Sequence, residues 1–86
     1  NDDFAILGVN PNPFENEIII QYFQFSKDII SLKLFDINGK MIFNESINDS
    51  STGLKYARLK TDNLARGNYI LEINNGHFSY IKKLVK

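Results

Sequence analysis

The chain has 86 residues, of which 43% are hydrophobic and 13% aromatic, with 10 Lys and Arg against 10 Asp and Glu. This is the size of one domain with a thin, efficiently filled core, because a chain this short buries only about 60–65% of the surface it exposes when unfolded. The absence of cysteine excludes a disulfide framework and a thiolate metal site, and zero net charge argues against a general nucleic-acid binder, whose affinity comes from neutralising phosphates.

Taken in chain order, the apolar residues alternate with period two again and again, and no helical period is sustained. A first strand is expected over Phe4 to Val9, and it stops at Asn10-Pro11-Asn12-Pro13. Each proline withholds a backbone donor and pushes the preceding residue to extended geometry, so this is a rigid crossover. Glu17 to Phe25 reads as the second strand, with Ile18, Ile20 and Tyr22 on one face and Ile19, Gln21 and Phe23 on the other. Both faces are apolar, so one of them is expected to meet a loop or a partner.

Ile30, Leu32 and Leu34 alternate with Ser31 and Lys33 in a third, half-buried strand. It runs into Asp36-Ile37-Asn38-Gly39, where Asn-Gly is the strongest short-range hairpin signal, and Met41 to Ile47 returns as the fourth strand. A polar loop from Asn48 to Gly53 precedes a fifth strand at about Leu54 to Thr61. Then comes a corner, Leu64 to Gly67, and a sixth strand with Tyr69, Leu71 and Ile73 on one face. Asn75-Gly76 marks another hairpin, and a last strand is expected from about His77 to Val85. Strands at this spacing predict an all-β, seven-stranded, immunoglobulin-like antiparallel β-sandwich, with an up-and-down barrel as the alternative.

The corner matches the tyrosine corner of such sandwiches. Leu64 plugs the end of the core, Gly67 supplies backbone freedom, and Tyr69 buries its ring while its hydroxyl seeks a backbone partner. Charge is uneven along the chain: Asp2, Asp3, Glu15 and Glu17 lie in a first part without Lys or Arg, and Lys82, Lys83 and Lys86 end it without acids. This predicts either electrostatic pairing of the first and last strands or a basic contact surface.

Catalytic patterns are poor. His77 is the only histidine and follows a turn, where it is expected to face solvent. Ser26, Ser31, Ser46, Ser50, Ser51 and Ser79 sit in no nucleophile elbow, and Asp28, Asp36, Glu45, Asp49, Asp62 and Glu72 are scattered. The Asn48 to Asp49 loop lacks the ligand spacing of a known calcium loop. Asn44-Glu45-Ser46 and Asn48-Asp49-Ser50 match the glycosylation sequon, a pattern frequent by chance. The chain reads as a non-enzyme with no cofactor and no metal. No apolar run reaches the roughly 20 residues that span a bilayer, no signal-peptide pattern opens the chain, and membrane insertion is not expected. A start at Asn1 suggests a piece excised from a larger protein.

Four motifs in this order, Asn12-Pro13-Phe14, Phe35 to Lys40, Leu64-x-x-Gly67-x-Tyr69-x-Leu71 and the ending Lys83-Leu84-Val85-Lys86, resemble the type A C-terminal sorting domain of the Bacteroidota type IX secretion system. The similarity runs from about Ile6 to Lys86. The resemblance implies a seven-stranded sandwich attached to an N-terminal cargo domain, which passes through the periplasm to a secreted or cell-surface destination. Its implied partners are the outer-membrane translocon and shuttle proteins of that system, and a sortase-like cysteine protease that removes the domain after export. Sorting information would then fall on Asn12, Pro13, Phe14, Gly67, Tyr69, Lys83, Leu84, Val85 and Lys86, with Asp36, Asn38, Gly39, Leu64, Asn75 and Gly76 shaping turns and corner.

A physical reading of such a tag places Phe78 to Val85 at a sheet edge, recognised by strand addition and charge. On that reading, deleting Leu84 to Lys86 abolishes export and leaves the domain folded. Two other classes stay open. One is a carbohydrate-binding sandwich using Phe23, Phe25, Tyr56 and Tyr80 as a stacking platform, which needs a coplanar exposed row. The other is a structural spacer of a multidomain adhesin.

Overall fold

The computed structural model describes residues 4–25, 29–48 and 51–86. Within them lie seven strands: β1 (Phe4–Asn10), β2 (Glu17–Gln24), β3 (Ile30–Asp36), β4 (Met41–Ile47), β5 (Gly53–Lys60), β6 (Asn68–Asn74) and β7 (Ser79–Val85). They form two sheets, a three-stranded one in the order β1-β2-β5 and a four-stranded one in the order β4-β3-β6-β7. All pairings are antiparallel, and no strand belongs to both sheets, so the architecture is a sandwich and not a barrel. The order β1-β2-β5 and β3-β6-β7, with β4 seated beside β3, is consistent with an immunoglobulin-like sandwich.

The alternation seen in the sequence is what divides each strand between core and surface. In β2, Ile18, Ile20, Tyr22 and Gln24 are buried while Glu17, Ile19, Gln21 and Phe23 are half-buried on the outer face. The core joins Val9, Ile18, Ile20, Tyr22, Ala57 and Leu59 of one sheet to Ile30, Leu32, Leu34, Tyr69, Leu71, Ile73 and Leu84 of the other. Phe14 is fully enclosed at one end, and it stands in the loop that joins β1 to its antiparallel partner β2, so the Asn10 to Pro13 segment is a hairpin connection within one sheet and not the crossover expected from its prolines.

The two Asn-Gly hairpins, β3–β4 and β6–β7, show why their residues stand where they do. The Asp36 carboxylate accepts from the amides of Asn38 and Lys40, both at 2.9 Å, and Gly39 has a φ of +86°, which side chains disfavour. The Asn75 side-chain carbonyl accepts from the amides of His77 (2.9 Å) and Phe78 (2.7 Å). Those two amides are engaged in the turn, which is why β7 starts at Ser79 and not at His77 as the sequence suggested.

One expectation changes with the topology. β1 and β7 lie in different sheets, so the acidic start and basic end do not pair as neighbouring strands. Glu17 pairs with Arg58 of β5 at 3.3 Å instead, while Asp2 and Asp3 lie outside the described residues.

Candidate recognition surface

Three segments far apart in sequence meet at one end of the sandwich: the β1–β2 loop, the corner before β6 and the end of β7. Asn12 reaches across 73 positions, its side-chain carbonyl accepting the Val85 amide at 3.0 Å. The Phe14 amide donates to the Val85 carbonyl at 2.8 Å. The Phe14 ring meets Tyr69 edge-on, with centroids 5.7 Å apart. Both Asn10-Pro11 and Asn12-Pro13 are cis peptides, and Pro13 itself is exposed. Thr61 ties the β1–β2 loop to the corner, its amide donating to the Asn16 carbonyl (2.9 Å) and its hydroxyl to that of Glu15 (3.1 Å).

The corner is built as the residue types require. Leu64 packs half-buried against the core, and the Tyr69 hydroxyl donates to the Ala65 carbonyl. Gly67 exchanges both backbone hydrogen bonds with Lys86, at 3.2 and 2.9 Å. The Lys86 ammonium then folds onto the corner and donates to the carbonyls of Thr61 (2.7 Å), Leu64 (2.7 Å) and Asp62 (3.3 Å). A single cation here satisfies carbonyls that the tight corner leaves without ladder partners.

The residues that the sequence grouped as one recognition set are therefore of two kinds. Phe14, Tyr69 and Leu84 are buried, and Lys86 holds the corner. Asn12, Pro13, Gly67, Lys83 and Val85 reach the surface. Removing Leu84 to Lys86 takes out a fully buried leucine together with the corner's ammonium, which favours a loss of stability over an intact fold for that truncation.

β7 occupies the edge of its sheet, as expected, paired with β6 alone. Sequence reasoning missed Ile81, which is 64% exposed on the face that Lys83 shares, and it set Lys82 in the basic end without placing it on the opposite face. The signal was present: counting back by twos from buried Leu84 puts Lys82 and Tyr80 on the inner face and Lys83 and Ile81 on the outer one.

Phe23, Phe25, Tyr56 and Tyr80 do not form one coplanar exposed row. Tyr80 is half-buried against the core from the other sheet, and Tyr56 takes a long hydrogen bond from Gln21 at 3.4 Å. Phe23 and Phe25 lie 4.8 Å apart but tilted by 44°. A depression on the outer face of β2 and β5 is lined, among the described residues, by Ile19, Tyr56, Ala57 and Arg58. His77 is exposed, and among the described residues no group of three or more His, Asp and Glu is placed to hold a metal ion. The Asn44 to Ser46 sequon lies exposed on β4, whereas the second sequon and the Asn48 to Asp49 loop extend outside the described residues.

A family model described as "secretion system C-terminal sorting domain" matches residues 8–86. No curated protein matches the chain.

Proposed function

Because the chain belongs to the C-terminal sorting domains of the type IX secretion system, we propose that it acts without catalysis, as an address carried by one folded unit spanning residues 1–86. A cargo bearing such a signal is exported or surface-associated through the type IX machinery. In the finer reading, the domain enters the periplasm behind its cargo. There the outer-membrane translocon and its shuttle proteins engage the end of the sandwich where Asn12, Pro13, Gly67, Lys83 and Val85 reach the surface. Phe14, Tyr69, Leu84 and Lys86 serve recognition indirectly, by fixing that end in shape. After export a sortase-like cysteine protease cuts upstream of the sandwich and frees the cargo.

The observation that carries this reading is the meeting of Asn12, Phe14, Gly67, Tyr69 and the end of β7 within a chain whose family match covers residues 8–86. A rigid end assembled from remote segments is a surface that exists only once the domain has folded, which suits a signal read after folding.

The removal step is tested by mass. A reporter fused ahead of these residues is collected from the medium of cells with and without the sortase-like protease. The expected product lacks the sandwich in the first case and retains it in the second. Identical products from both strains contradict removal by that protease.

A further inference from the structure

The outer edge of β7 is a pairing site of defined length. Since Gly67 and Lys86 exchange both backbone bonds, alternate residues back along the strand, Leu84, Lys82 and Tyr80, turn their amides and carbonyls toward β6. Val85, Lys83, Ile81 and Ser79 turn theirs to the open side. Val85 is already filled there, by the Asn12 side chain and the Phe14 amide. The open edge thus runs from Ser79 to Lys83, about five residues or roughly 17 Å of extended chain.

The side chains along this edge carry a pattern. Ile81 and Lys83 stand exposed on the outer face, and Tyr80 and Lys82 stand half-buried on the inner one. Among the described residues neither the Lys82 nor the Lys83 ammonium has a hydrogen-bond or ion-pair partner, whereas the Lys86 ammonium is held by carbonyls. Glu72, the acid of the outer face nearest the edge, sits across from both Ile81 and Lys33, so Lys33 offsets it within the sheet.

Resting on the recognition reading above, we propose that this edge is completed by a short acidic strand of the sorting partner. That strand places two apolar residues against Tyr80 and Ile81 and two consecutive carboxylates against Lys82 and Lys83. Consecutive residues of a strand face opposite sides, so one carboxylate meets Lys83 on the outer face and the other meets Lys82 on the inner face. The Asn12–Phe14 segment acts as a stop that fixes the register, because a strand running past Lys83 collides with it. A second copy of β7 is a poor occupant, since it doubles the ammonium groups on a ribbon that has no carboxylate in either strand.

The test has two arms. In the first, the isotopically labelled 86-residue domain is titrated with capped peptides carrying two adjacent valines and two adjacent glutamates between threonines, in both orders. Amide resonances of Ser79, Ile81 and Lys83 are expected to move more than those of Tyr80 and Lys82. Peptides with lysine in place of glutamate are expected to bind about tenfold more weakly, and the double change Lys82→Glu with Lys83→Glu to reverse that preference. Equal binding of both peptide types, or no movement at those amides, overturns the proposal.

In the second arm, Ile81→Pro removes an outward donor without touching a bond to β6. The charge-reversed variant changes one exposed and one half-buried side chain and no fully buried one. Both are expected to fold and to lower export of a fused reporter about tenfold. Normal export from both folded variants sinks the edge while leaving the sorting role standing. A failure of the unaltered domain to direct export sinks the sorting role itself, and the peptide titration then decides the edge alone.

Discussion

Replacing Lys86 with Met keeps most of the aliphatic stem and deletes the ammonium that donates to the carbonyls of Thr61, Asp62 and Leu64. A hydrogen bond to a charged group contributes about 1.5–3 kcal/mol. Here three bonds share one ammonium, and water replaces part of what is lost at a half-buried site, so the whole arrangement contributes about 2 kcal/mol. With an unfolding entropy of about 2.1 cal/mol/K per residue, a domain of this length has a total near 0.18 kcal/mol/K, and the midpoint falls by roughly 10 °C. The same change at exposed Lys83 shifts it by no more than about 3 °C. Scanning calorimetry on the two variants distinguishes a corner-holding lysine from a surface one. Equal shifts for both refute the assignment of Lys86 to the corner, and a larger shift for Lys83→Met refutes the division of the terminal lysines altogether.

Phe14→Ala removes a fully buried ring and its edge contact with Tyr69. It is expected to cost about 3–5 kcal/mol in urea unfolding, close to the whole stability of a domain this small. Tyr69→Phe leaves the Ala65 carbonyl without its hydroxyl donor and is expected to cost about 1 kcal/mol with the fold retained, as read by the same titration. Gly39→Ala meets no atom within 4 Å but forces a side chain to a φ of +86°, so a loss of about 1–2 kcal/mol traceable to backbone conformation alone is expected.

Much of the architecture was readable because its determinants are local. β4 was placed at Met41–Ile47 from alternation and the Asn38-Gly39 turn, and the alternation of Ile18, Ile20 and Tyr22 named the buried face of β2. The corner followed from residue types: a plug, a glycine and a tyrosine whose hydroxyl needs a nearby carbonyl. What stayed hidden depends on contacts between remote segments. Nothing near Asn12 in sequence indicates that its amide seals the edge at Val85, and no feature of three similar lysines tells which one turns inward. As part of the ending Lys83-Leu84-Val85-Lys86, Leu84 falls in one motif with charged neighbours whose surroundings it does not share. The strand's own period would have separated it from them. Tyr56 and Tyr80 were joined in one platform because strand assignment to sheets, which puts them on opposite halves of the sandwich, is not a local property.

The central claim is that this folded sandwich is itself sufficient as an export address. Its most direct test joins residues 1–86 to a periplasmic reporter in two strains, one with an intact type IX system and one lacking its translocon. Reporter outside the first strain and confined within the second is the predicted result. The same distribution in both strains, with the domain folded, contradicts the account.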